Sequence, residues 1–166
     1  MNSEKYPALK MIPSGIYIFT AAADEEVLSA IVVSRVMQLS STPALIAVAL
    51  KNNSHALAVT RKSGSFALNL LAREQVQIVG KFITPVSGKE NWPADQSYTK
   101  SESGALLLEA ATGFIDCRVY AALEAGDHTA VIGEVVSAEI RRELEDRPDN
   151  HVLRPCDLGP DVYYRG

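Results

Sequence analysis

Residues 27–54, VLSAIVVSRVMQLSSTPALIAVALKNNS, contain two short apolar runs, 30–33 and 44–50, rich in Val, Ile and Ala. Runs of this length are too short to cross a bilayer, and their β-branched content fits buried strands. Between them stand Ser34, Arg35, Gln38, Ser40, Ser41 and Thr42. Hydroxyls and a guanidinium beside core strands have two uses. They satisfy local turns and helix caps, or they offer donors to a phosphate or another polar ligand.

The same strand pattern recurs along the chain. Pro13, Ser14 and Gly15 mark a turn ahead of a strand at 16–19, and Asp24 and Glu25 supply a connection to a strand at 28–33. Residues 34–41 fit either one helical turn or an irregular strand. Pro43 restricts Thr42 to extended backbone before the strand at 44–50. Ser54 is placed to cap a short helix that starts at His55, and residues 72–82 suit a second one. Alternation returns at 65–71 and 114–122 and, with a bend at Gly133, at 129–140; a brief strand fits 106–109. Residues 84–103, with Pro85, Gly88 and Pro93, read as a long loop on which Trp92 and Tyr98 pack. The charged stretch 141–150 reads as a solvated connection. The tail reads as a short strand or arm around Val162, Tyr163 and Tyr164. These features predict one mainly β domain over residues 1–166, an antiparallel barrel joined by short helices rather than βαβ repetition.

Composition narrows the function classes. The 166 residues carry 16 basic and 20 acidic side chains, a formal charge of −4, which gives no electrostatic case for nucleic acid as the main partner. The first ten residues have no apolar signal-like stretch, so a cytoplasmic location is expected. Cys117 and Cys156 belong to no CxxC pair. Neither a GxGxxG fingerprint, a P-loop, a nucleophile elbow nor a compact metal-ligand cluster occurs in the sequence.

Taken in order, SAIVVSRVMQLSSTPALIAVAL, NNSHALAVTRKSGSFALNLL, the GKF of residues 80–82 and the GDHTAVIGEV of residues 126–135 resemble the flavin reductase family with an FMN-binding split barrel. The resemblance implies a six-stranded Greek-key barrel with short helices. It also implies a homodimer that holds flavin near the subunit boundary. The implied activity is NADH- or NADPH-dependent flavin reduction, with electrons passing to free flavin or another acceptor. The alternative is an FMN-binding electron-transfer protein reduced by a partner protein. By this resemblance Ile31, Val32, Val33, Ser34 and Arg35 line the flavin. Ser40, Asn52, Asn53 and Ser54 lie near its ribityl phosphate, and Lys81 and Phe82 lie near the flavin. No metal is implied. An FMN site needs phosphate donors, polar groups for the ribityl chain and an apolar slot for the ring, and these residue types supply them.

His128, in the GDH turn, is the residue the resemblance places beside the redox face, where it orients an amide or carboxylate; capping the turn or bonding across a dimer interface is the other reading. The sequence departs from the family pattern at Val32, Arg35 and Ala44. Arg35 either strengthens phosphate binding or forms a salt bridge.

Overall fold

The chain first turns back on itself at Asp24. Its Oδ1 accepts hydrogen bonds from the backbone N–H groups of Glu26 at 2.9 Å and Val27 at 2.6 Å, closing the hairpin between β1 (Tyr17–Ala22) and β2 (Leu28–Val33). The computed structural model describes residues 5–160. After β2 the chain passes through Ser34 and Arg35 into β3 (Val36–Ser41). A two-residue turn at Thr42 and Pro43, joined by a cis peptide bond, then leads into β4 (Ala44–Lys51). The stretch 34–41 therefore holds a strand over Val36–Ser41 and not a helical turn. β3 alternates too weakly between apolar and polar residues to declare itself, and pairing with the apolar β4 decides its conformation.

Ser54 caps α1 (His55–Ser63) by accepting a hydrogen bond from Leu57 N–H at 3.2 Å, and Gly64 ends the helix in the left-handed conformation at φ 71°. There follow β5 (Ser65–Leu70), a 3₁₀ turn at Arg73–Gln75 and α2 (Val76–Phe82). The stretch expected as one loop over 84–103 holds β6 (Val86–Ser87) and β7 (Tyr98–Lys100). Trp92 does pack there, with its ring 5.5 Å from Phe82 and 4.6 Å from Tyr98, and its indole N–H donates to Gln96 O at 2.6 Å. β8 (Leu106–Leu108) pairs with β7, and the long strands β9 (Gly113–Ala125) and β10 (His128–Ile140) complete the fold.

Eight of these ten strands form one antiparallel sheet in the order β3-β4-β10-β9-β5-β1-β2-β6, while β7 and β8 form a separate hairpin. The mainly β class is as expected, but the six-stranded barrel is not. The sheet order is open, with β3 and β6 at its ends. The additional strands were hidden because β6 has only two residues and β3 and β7 are largely polar or exposed.

β1 shows why its sequence is apolar on both faces. Ile18 joins a core beneath α2 and β8 with Leu28, Val32, Phe82 and Leu106, whereas Phe19 joins a second core beneath α1 with Leu57, Phe66 and Val131. Phe19 and Phe66 stack with centroids 5.1 Å apart. Buried Asn69 locks the small hairpin onto the sheet: its amide donates to Ile18 O at 3.2 Å, and its Oδ1 accepts from Leu108 N–H at 2.7 Å. The segment after β10 returns across the first core, where Leu153 is fully buried and exchanges backbone hydrogen bonds with Ile16 and Leu71. The expected strand around Val162, Tyr163 and Tyr164 lies outside the described residues.

The other face of β3, β4, β10 and β9 carries a register row of Met37, Ala47, Ile132 and Ala121, next to a row of Ala49, Ala130 and Leu123. Met37 is 61% exposed and Leu123 64%. Among the described residues, no element covers this apolar face.

Candidate functional site

The β2–β3 junction, the end of β4, the start of α1 and the start of β10 converge on a cavity of about 330 Å³. The convergence follows from register. Ala49 N–H donates to Arg35 O at 3.0 Å on one side of β4, while Lys51 pairs with His128 on the other. Two residues separated by 93 positions thus meet across a single strand end.

Ile31, Val32, Val33, Ala49, Leu50 and Pro85 give the cavity an apolar wall. Among the described residues, its polar lining is Ser34, Arg35, Lys51, Asn53, Ser54, His55 and His128, without a carboxylate. In a chain of net charge −4, this concentration of cationic and donor groups marks the cavity for an acceptor-rich or anionic ligand joined to an apolar body. At the start of α1, Ser54 occupies Leu57 N–H; the helix dipole adds partial positive charge at the His55 and Ala56 end, and no acidic residue stands in the first turn. Among the described residues, no group of His, Cys, Asp and Glu is arranged to hold a metal ion.

Arg35 Nη1 lies 2.8 Å from His128 Nε2, and His128 Nδ1 lies 2.6 Å from Asp127 Oδ1. A guanidinium only donates, so His128 Nε2 is the acceptor and Nδ1–H donates outward to the carboxylate. The hydrogen bond from His128 Nδ1–H holds Asp127 below the ordinary carboxylate pKa. Arg35 thus meets an imidazole, a partner not anticipated from the sequence.

The cavity brings together Ile31, Val32, Val33, Ser34, Arg35, Asn53, Ser54 and His128 of the residues singled out from sequence. Four others stand apart from its lining. Ser40 lies along β3, and Phe82 is fully buried in the core beneath α2. Lys81 pairs with Asp95 at 2.9 Å. Asn52 spends both ends of its amide on the neighbouring turn: Nδ2 donates to Gly126 O at 2.9 Å, and Oδ1 accepts from Thr129 Oγ1 at 2.8 Å.

The lining also includes Ala49, Leu50, Lys51, His55, Ala56 and Pro85. The imidazole of His55 donates from Nε2 to Leu28 O at 3.2 Å. Strand alternation puts Lys51 on the same side as Ala49, a signal readable from the sequence. Pro85 carries no comparable signal, since only the tertiary fold brings it to β2.

Residues 9–166 match the flavin reductase like domain. The chain is 29% identical to flavin reductase (NADH) of Kitasatospora aureofaciens, over 80% of this chain and 69% of that protein. It is 30% identical to the reductase component of the FADH2-dependent resorcinol hydroxylase of a Rhizobium strain, over 80% of this chain and 74% of that protein. In three dimensions it resembles the styrene monooxygenase flavin reductase of Pseudomonas putida S12, with a TM-score of 0.71, 21% identity and coverage of 84% and 88% of the two chains. The chain thus belongs to the flavin reductase like family and is an oxidoreductase that uses NAD(P)H and flavin.

Proposed function

We propose that the cavity beside β2, β4 and α1 is the flavin seat, with FMN the flavin it takes. The observation that carries this reading is one cavity with an apolar wall and a cationic and hydroxyl-bearing lining that holds no carboxylate among the described residues. Those residues fit the group. Ile31, Val32, Val33 and Pro85 offer the slot for a flat ring, and Ser34, a buried hydroxyl, offers a polar contact. Lys51, Asn53, Ser54 and the first turn of α1 suit the phosphate.

Flavin, when bound, supplies the redox chemistry by accepting hydride at N5 from C4 of the nicotinamide. The protein binds, aligns and desolvates, and these are the main requirements for direct hydride transfer. His128 stands at the β10 end of the cavity, the position proposed for the nicotinamide side. Both of its ring nitrogens are engaged by protein groups, so its role is orienting and not proton donation.

Two further elements belong to this reading. The apolar rows through Met37 and Leu123 seat a second copy of the chain, and Ala49, shared between that face and the cavity, puts the flavin near the boundary. The reduced flavin passes to a separate oxygenase, a reading supported by the relative that serves a hydroxylase. No helix among the described residues is long and apolar enough to cross a membrane, and the free thiols Cys117 and Cys156 suit a reducing, cytoplasmic setting.

Anaerobic stopped-flow absorbance tests the proposal. Protein with stoichiometric FMN is mixed with NADH or with NADPH, and rapid loss of oxidised-flavin absorbance with at least one of them is expected. Binding of FMN with no reduction by either nucleotide overturns it.

A further inference from the structure

We infer that Arg35 is a positioning residue for His128, holding the imidazole as the Nδ1–H tautomer. The inference deepens the proposed role of the cavity and rests on that reading for its functional consequence. Its geometric basis is independent of any ligand.

Arg35 Nη1 faces His128 Nε2 at 2.8 Å. A guanidinium carries N–H donors and no lone pair to share, so a proton on Nε2 sets two donors against each other at hydrogen-bond distance. On the opposite side of the ring, Asp127 Oδ1 lies 2.6 Å from Nδ1 and accepts its proton. The two contacts agree on one tautomer. The His128 side chain is only 14% exposed, so water does not compete freely for either nitrogen. Lys51, its cross-strand partner, adds positive charge on the same side of the sheet.

The consequence is specific to a chain with Arg at position 35. While this bond stands, His128 presents a ring edge of fixed orientation instead of a free N–H or lone pair. Removing the guanidinium frees Nε2 and lets the ring change tautomer or rotate. The nucleotide then meets a mobile group, which weakens its binding more than it slows the chemical step.

The test reads the ring directly in the flavin-free full-length chain carrying isotope-labelled histidine. Long-range proton–nitrogen correlation distinguishes a protonated Nδ1 from a protonated Nε2, and His128→Gln assigns the signals among the three histidines. Wild type is expected to show Nδ1 protonated and Nε2 bare at His128. Arg35→Met shifts that pattern toward protonated Nε2, and Arg35→Lys restores it at least in part. A protonated Nε2 in wild type, or a pattern unmoved in Arg35→Met, overturns the inference.

With FMN supplied, Arg35→Met is expected to raise KM for the nicotinamide nucleotide about tenfold and to change kcat by no more than about twofold. The two readouts separate the possible failures. The expected ring pattern in a wild-type chain that reduces no flavin sinks the reductase reading and leaves the Arg35–His128 pairing standing. Active flavin reduction with a protonated Nε2 at His128 sinks only the pairing.

Discussion

Thr129 Oγ1, fully buried, donates its hydrogen bond to Oδ1 of Asn52 at 2.8 Å, and the same Asn52 amide reaches Gly126 O at 2.9 Å. One side chain from the β4–α1 turn thus grips the β9–β10 turn on both sides of His128.

Asn52→Ala strands the buried Thr129 hydroxyl and releases the carbonyl of Gly126. Leaving such a group unsatisfied costs about 1–3 kcal/mol. Chemical denaturation is expected to show that loss as a lower midpoint with an unchanged slope. A variant with an unaltered midpoint contradicts the clamp.

Gly133 sits at the β-bulge of β10, where the register against β9 shifts between Ile132 and Gly133. A Cβ placed there meets Phe66 Cζ at 2.5 Å and Cys117 Cβ at 2.7 Å. Both neighbours are fully buried, so Gly133→Ala forces the second core to move. The expected cost is about 1–3 kcal/mol, and more for Gly133→Val; thermal or denaturant unfolding checks both.

The bend at Gly133 was readable because glycine interrupts an otherwise alternating strand. The cap at Ser54 was equally legible, as were the strand limits of β2. Meaning was harder to assign to Arg35 and Asn52. In the sequence each is a polar residue near a strand end, and its partner is fixed only when β10 crosses β4 in one particular register. Phe82 presents the reverse case. Its neighbourhood matched a flavin-binding pattern, yet the amphipathic face of α2 turns it into the core beside Trp92.

Cys117 lies buried beside Phe66, and burial first, then the negative charge of Asp116, push its thiol up to about 12. In the unfolded chain the thiol ionises near 9.0. The folded state thus holds a proton that the unfolded state releases, and stability falls as pH rises between those values. The slope is about 1.4 kcal/mol per pH unit, with the full contribution present below the unfolded value. Cys117→Ala removes this contribution to the alkaline slope, as measured by denaturant midpoints across the window. Native protein is also expected to react with thiol reagents at exposed Cys156 and to spare Cys117.

Leu123 tests the second-copy reading of the outer sheet face. It stands in the row with Ala49 and Ala130 and is 64% exposed in the single chain. Leu123→Glu puts a charge where a dimer requires apolar contact, so light scattering is expected to show a dimeric wild type and a monomeric variant. A monomeric wild type refutes the interface. A dimeric variant moves it to another face.

Lys51 tests which end of the cavity meets the phosphate. It pairs across the sheet with His128, lines the cavity and stands three residues before the capped start of α1. Lys51→Glu replaces attraction by repulsion at that end and leaves the apolar wall intact. The variant is expected to bind FMN about tenfold more weakly while binding riboflavin, which has the same ring but no phosphate, as well as wild type does. Flavin fluorescence quenching measures both. Because Lys51 is exposed, the difference for FMN is expected to shrink as salt screens it. Equal weakening for both flavins instead means that the substitution disturbed the ring slot, and the phosphate then belongs elsewhere in the cavity.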